Sequence, residues 1–401
     1  MSSIKTHVQA PETFTALNGL RFIAALAVVF FHFAPKIDGY DRVPGVVKKL
    51  IHLGPAAVGF FFILSGFVLA SRHFRNSSRN ETPAQFYWAR FIRLYPAYLV
   101  GFLLFAPIAV QKYLVHSSSA TTAPGTFALS AILYSLMLQA WTPLAQAWNG
   151  PSWSLSVEAF MYFVFPPIMV RLARLNYKNS ILILCVAWLI PAGLACAYVG
   201  HLISESAWRA YVGNNPLLWT PLFVMGICAA KLVPIWRKVE RSKANLISTA
   251  AFVGVIVAAG AWPRAWSEVF IAGGIAPLLV LVIVSFTNVS GWITKFVGGE
   301  IFNSLGQASY IIYIIQSPVW HCWQALTNRL RHVPFQATLV APWQFFLFVP
   351  FLVMVSLAVQ RFVEIPVRGW LATWRFARSP GLRSVRPLER EVVRRNPVKV
   401  V

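Results

Sequence analysis

The feature that most constrains this chain is the recurrence of long apolar runs almost free of charge. Eleven such stretches lie near residues 18–34, 55–71, 94–111, 127–141, 155–171, 181–200, 216–231, 246–262, 270–287, 303–323 and 343–361. A helix needs roughly 20 mostly apolar residues to cross a bilayer. Of the 401 residues, 57% are hydrophobic and 12% charged. Soluble domains carry about a quarter charged residues. The composition therefore excludes a soluble enzyme, a disordered chain and a fibrous one. The expected fold is all-α, a polytopic integral membrane helix bundle of about ten transmembrane helices with both termini cytoplasmic.

Charge placement supports that count. The formal net charge is +23, which in a soluble protein would suggest nucleic acid; in a membrane chain it reports orientation, and no nucleic-acid partner is expected. If 127–141 does not cross and the N-terminus is cytoplasmic, 25 of the 35 Lys and Arg residues fall on the cytoplasmic side and nine on the outer side, with Arg21 inside the first span. Cytoplasmic loops are enriched in these residues. Residues 1–361 are then the transmembrane domain, and 112–154 is an excursion on the outer face. Residues 362–401 form a basic cytoplasmic tail that anionic lipids would hold. The N-terminus shows no charged-then-apolar leader pattern, so no cleaved signal peptide is expected. Cys185, Cys196, Cys228 and Cys322 sit in apolar stretches without CxxC spacing, which reads as buried free thiols, with neither a disulfide framework nor a metal site.

Ionisable groups inside spans cost about 2.5–3.5 kcal/mol on insertion scales and are functional candidates by default. Arg21 and His32 share the first span. Eleven residues make about three turns, so the two lie on one face roughly 16 Å apart. Alone, each has a plain reading, Arg21 snorkelling to lipid phosphate and His32 packing between helices; together on an apolar helix they favour function. Phe61, Phe62, Ser65 and Gly66 follow in FFILSG, where small residues also permit close helix packing. Arg90 and Arg93 stand one turn apart at the cytoplasmic boundary, a phosphate clamp or an ordinary positive-inside anchor. Glu158, in NGPSWSLSVEAFMYFVFPP, lies one turn into the fourth helix from its outer end, at a depth matched to that of His32. A carboxylate beside an imidazole fixes its tautomer and raises its basicity, as a general base requires. Trp153 fits an interfacial anchor. Ser309, Tyr310, Tyr313 and Gln316 read as interhelical hydrogen-bond formers, and Arg361, Glu364 and Arg368 as a cytoplasmic ion-pair cluster.

Five motifs now stand in order along one multi-span chain: Arg21 with His32 eleven residues on, FFILSG at 61–66, RFIR at 90–93, WSLSVE at 153–158 and FVEIP at 362–366. In this the chain resembles the acyltransferase-3 family, bacterial membrane enzymes that acylate sugars and other hydroxyl compounds, from about residue 14 to 370. Two positions depart from the pattern: Asn18 stands where the family often has Asp, and Gln316 where it often has His. The resemblance implies that Arg21 and His32 are essential and that Arg90 and Arg93 meet an acyl-CoA donor, acetyl-CoA in the simplest case, as substrate with no permanently bound cofactor.

On that reading the expected catalytic residues are His32, Glu158 and Arg21, and the donor lies on Arg90, Arg93, Ser65, Phe61, Phe62, Gly66 and Trp153. The acceptor is a hydroxyl of a glycan or lipid-linked saccharide at the outer face of the bacterial inner membrane. His32, oriented by Glu158, acts as base or as nucleophile. The alternatives are acylation of a small lipophilic acceptor such as a macrolide or lipid, a proton-coupled transporter using Arg21, His32 and Glu158, and a non-catalytic export partner.

Overall fold

The computed structural model describes residues 14–75, 82–115, 124–288, 291–332 and 339–374. Each of the eleven apolar runs is a helix: α1 (Thr15–Phe33), α2 (Leu53–Arg75), α3 (Pro83–Val115), α4 (Pro124–Ser135), α5 (Trp153–Ala173), α6 (Tyr177–Val199), α7 (Pro216–Ala230), α8 (Arg241–Ala261), α9 (Ala276–Ser285), α10 (Glu300–Leu330) and α11 (Pro342–Val359). No strand occurs among the described residues beyond an isolated bridge between Ile37 and Val340. Seven helices are long and apolar enough to cross a bilayer, or eight counting the segment 264–285, which bends by 47° ahead of α9. Gly273 takes a left-handed φ of 114° at that bend, a conformation that glycine alone adopts without strain. The chain is a multi-pass membrane helix bundle.

Helix α4 has 12 residues, about 18 Å at 1.5 Å per residue, short of a span. The chain after it turns inward. Gln139, Asn149 and Ser152 are almost fully buried. Their amide nitrogens are paired: Gln139 Nε2 donates to Ser152 O at 3.0 Å, and Asn149 Nδ2 to Ile314 O at 2.8 Å in the middle of α10. Irregular backbone is tolerated at membrane depth where protein buries it. The expected outer excursion over 112–154 thus ends inside the bundle, and α5 begins deep in the protein.

Glycines set the closest crossings. A Cβ on Gly66 would stand 2.1 Å from Phe223 O, and one on Gly226 would stand 1.9 Å from Ile63 O. Helices α2 and α7 therefore touch backbone to backbone. Helices α1 and α10 are joined along their length. Gly306 lies against Asn18, whose Nδ2 donates to Asn303 Oδ1 at 2.8 Å, and at the far end Phe33 stacks on Trp320 with centroids 4.6 Å apart.

Two expectations change. The helical body continues past residue 361: a π-helical turn (Gln360–Glu364) leads into a helix at Ile365–Leu371, and Trp374 stacks on Trp88. The residues 375–401 of the expected tail lie outside the described residues. All four cysteines are free, yet only Cys228 is buried, because Cys185, Cys196 and Cys322 fall on outward faces of their helices.

Candidate active site

Helices α1, α2, α3, α5 and α10 surround a partly open cavity lined by Arg21, Arg90, Arg93, Glu158, Ser65 and Tyr162, with Phe61, Phe62, Ser309, Tyr310 and Tyr313 also in its wall. Three guanidiniums against one carboxylate leave an excess of positive charge in its lining. Arg90 is buried at 7% exposure, with its guanidinium 5.8 Å from the Phe86 ring and 5.9 Å from the Tyr162 ring. It is no surface anchor. Helix α3 starts at Pro83, well before the expected run at 94, so Arg90 and Arg93 sit two turns or more inside it.

Glu158 occupies the chamber and not the neighbourhood expected for it. Ser65 Oγ donates to its Oε1 at 2.9 Å and Tyr162 Oη donates to the same oxygen. The carboxylate acts electrostatically on Arg21 and Arg93. The expectation that Glu158 orients His32 is corrected: the His32 Nδ1 meets Gln316 Oε1 at 3.3 Å. The physical reason is depth. Counting turns from the start of α5 assumed a start at the membrane surface, whereas α5 starts in the interior, which lowers Glu158 to the level of Arg21.

Gln316 is itself fixed, because its Nε2 donates to Tyr313 O at 2.8 Å and so turns its oxygen towards the imidazole. Asn18 and Gln316, the two departures from the family pattern, both lie on the contact between α1 and α10 and bond across it. Tyr313 donates to Pro151 O at 2.9 Å and Tyr310 to Leu94 O at 2.8 Å, tying α10 to the entry of α5 and to α3.

Of the expected donor residues, Arg90, Arg93, Ser65, Phe61 and Phe62 line the chamber. Gly66 does not; it is spent on the crossing with α7. Trp153 packs instead on the Phe62 and Trp219 rings. Sequence reasoning missed Tyr162, one turn beyond Glu158, and the lining role of Ser309, Tyr310 and Tyr313, although their spacing marks one polar stripe on an apolar helix. Glu364, expected in an ion-pair cluster with Arg361 and Arg368, pairs with Arg368 at 2.8 Å. It is buried at 7% exposure and also acts electrostatically on Arg21 and Arg93, which the local spacing did not suggest.

The model of the family described as an acyltransferase domain matches residues 14–361. The chain belongs to the acyltransferase-3 family. Among its relatives, the acyltransferase MdmB of Streptomyces mycarofaciens is 31% identical over 59% of this chain and 62% of its own length. Protein 2 in the picA locus of Rhizobium radiobacter is 32% identical over 44% of this chain and 92% of its own length. A Staphylococcus aureus (strain COL) protein provisionally named an O-acetyltransferase is 23% identical over 88% of this chain and 57% of its own length. The chain thus spans about three fifths of the first of these relatives. No solved structure matches it significantly. For an acyltransferase-3 chain, the family residues Arg21, Arg90 and Arg93 share one chamber, and His32 lies further along α1 on its own hydrogen bond to α10.

Proposed function

We propose that the protein is an O-acyltransferase of the bacterial inner membrane, with about ten spans and both termini cytoplasmic. It moves an acyl group, acetyl in the simplest case, from cytoplasmic acyl-CoA to a saccharide hydroxyl at the outer face. The observation that carries the reading is the chamber in which Arg21, Arg90 and Arg93 converge between helices. Planar guanidiniums in a confined site bind phosphate groups in bidentate fashion, and the diphosphate of CoA supplies them. Glu158, held by Ser65 and Tyr162, offsets part of the mutual repulsion of the arginines and fixes where they point.

The rise from Arg21 to His32 is roughly 16 Å, comparable to the length of the pantetheine arm. An arm laid along Phe61 and Phe62 brings the thioester to His32. The Gln316 oxygen accepts from Nδ1–H, which leaves the Nε2 lone pair for the acceptor. His32 Nε2 takes the hydroxyl proton as the oxygen attacks the thioester carbonyl; the C–O bond forms, the C–S bond breaks, and the proton passes to the departing CoA thiolate. Gln316, in place of Glu158, is the positioning residue.

Titration calorimetry of the detergent-solubilised full chain with CoA tests the donor site. Wild-type protein binds CoA, and Arg93→Ala weakens binding by about tenfold or more, the usual scale for losing one charge-assisted contact. Folded wild-type protein that takes up no CoA contradicts the reading.

A further inference from the structure

Two hydroxyls in the chamber wall serve neither the arginines nor His32. Ser154, at the start of α5, and Tyr313, in the middle of α10, both line the cavity and are otherwise buried. Together with the backbone N–H of Trp153 they converge on one carbonyl, Pro151 O, with Tyr313 Oη at 2.9 Å and Ser154 Oγ at 3.0 Å. Ser154 Oγ also donates to Tyr313 Oη at 2.8 Å. A carbonyl oxygen offers two lone pairs, so three donors leave one hydroxyl proton in surplus. Either hydroxyl can turn into the cavity while Pro151 O keeps two donors. The other hydroxyls of the wall are committed. Ser65 and Tyr162 hold the Glu158 carboxylate, Ser309 donates to Gly306 O at 2.7 Å and Tyr310 to Leu94 O at 2.8 Å.

The pair stands between the two ends of the site. Ser154 precedes Glu158 by one turn of α5, about 6 Å, and Tyr313 precedes Gln316 by nearly one turn of α10, about 4.5 Å. Glu158 shares the chamber with the three arginines, and Gln316 holds His32. Gln316 in turn donates to Tyr313 O. The Phe61 ring stands edge-on to the Tyr313 ring with centroids 6.1 Å apart. A ligand that reaches from the guanidiniums to His32 therefore passes the two hydroxyls and Phe61 on its way.

We propose that Ser154 and Tyr313 position the pantetheine arm of the donor, one of the two hydroxyls donating to an amide carbonyl of the arm; this rests on the acyl-CoA reading of the chamber. The arm carries two amides between the diphosphate and the sulfur, joined by methylene segments. An amide carbonyl drawn out of water needs a donor. The surplus hydroxyl proton supplies it, and the Phe61 ring suits the methylenes. Because Tyr313 also carries the carbonyl that aims Gln316, seating the arm and orienting His32 depend on one residue.

Titration calorimetry of the full chain in detergent compares CoA with adenosine 3′,5′-bisphosphate, the nucleotide of CoA without the arm. Wild-type protein binds CoA at least tenfold more tightly than the nucleotide. Ser154→Ala and Tyr313→Phe each cut that margin by about threefold to tenfold, the scale of one neutral hydrogen bond, and nucleotide affinity stays at the wild-type value. Each variant leaves Pro151 O two donors, and Tyr313→Phe keeps the ring beside Phe61. Retained nucleotide affinity also reports that the variant is folded. In steady-state turnover the KM for acetyl-CoA rises by the same factor. An unchanged margin in either variant overturns the proposal, as does a wild-type chain that gains nothing from the arm. Equal loss for CoA and nucleotide makes the pair structural and overturns it too. Folded wild-type protein that binds neither ligand overturns the acyl-CoA reading itself, and the assignment with it.

Discussion

His32 depends on Gln316 for its orientation, and the dependence is measurable. The imidazole bonds to Gln316 at 3.3 Å, and the amide is locked by its own bond to Tyr313 O. Gln316→Ala removes the partner that fixes the tautomer, so kcat falls by about tenfold to a hundredfold, a share of what a general base contributes. The KM for acyl-CoA stays near its wild-type value, because the arginine chamber is untouched. Gln316→Glu places a carboxylate beside the ring, which favours the charged imidazole; the activity lost on acidification then sets in at higher pH than in wild type. Arg90 and Arg93 act on the other substrate term. Replacing either with Ala raises the KM for acyl-CoA by about tenfold, the scale of a charge-assisted hydrogen bond, with a smaller effect on kcat. Steady-state kinetics on the two sets of variants separates the assignments.

At the scale of helices, two contacts carry local stability. Gly66 and Gly226 let α2 and α7 touch, and Gly66→Ala drives a methyl group into the Phe223 carbonyl. Overpacking of this kind costs about 1–3 kcal/mol, read as a lower melting temperature in detergent. Lys231 donates its ammonium to the carbonyls of Leu172, Ala173 and Leu175 at 2.6, 3.0 and 2.5 Å. It closes the end of α5, where the helix dipole favours a cation. Lys231→Met keeps the length of the side chain, loses those bonds and destabilises by about 1–3 kcal/mol, again visible by thermal melting.

The helices were legible in the sequence because hydrocarbon enforces the signal: every apolar run holds a helix, although the run at 270–287 is broken at Gly273 and the one at 127–141 is α-helical only to Ser135. The arginine chamber was legible in part, since Arg21, Arg90 and Arg93 are residues that a membrane excludes unless they serve a purpose. What the pattern did not carry was depth. A chain that enters the bundle through buried loop, as 139–152 does, displaces every turn counted after it, and so Glu158 was matched to the wrong partner. Pairings across α1 and α10 were hidden for a related reason, because Asn18 and Asn303 lie 285 residues apart in the chain and His32 and Gln316 lie 284 apart.

Seen whole, the molecule carries its polar chemistry inside and an apolar surface outside. Leu103, Phe163, Leu182, Val257 and Phe346 are each more than half exposed, a belt that only lipid would cover without cost. Within that belt, the chamber with three arginines stands at one level and His32 with Lys36 at another. The account therefore predicts a polarity: cysteines introduced at Arg174 and at Lys49 react with membrane-impermeant maleimide from opposite sides of the membrane. Labelling of both from the same side contradicts it.

The central claim is that His32 performs acyl transfer from a donor held by the arginines. The direct measurement is turnover of radiolabelled acetyl-CoA by the purified full chain, with CoA affinity determined in parallel for His32→Ala. The account predicts that wild-type protein releases CoA, and that His32→Ala binds CoA as wild type does yet loses at least a hundredfold in rate, the lower range of general-base catalysis. Full turnover by His32→Ala would contradict it.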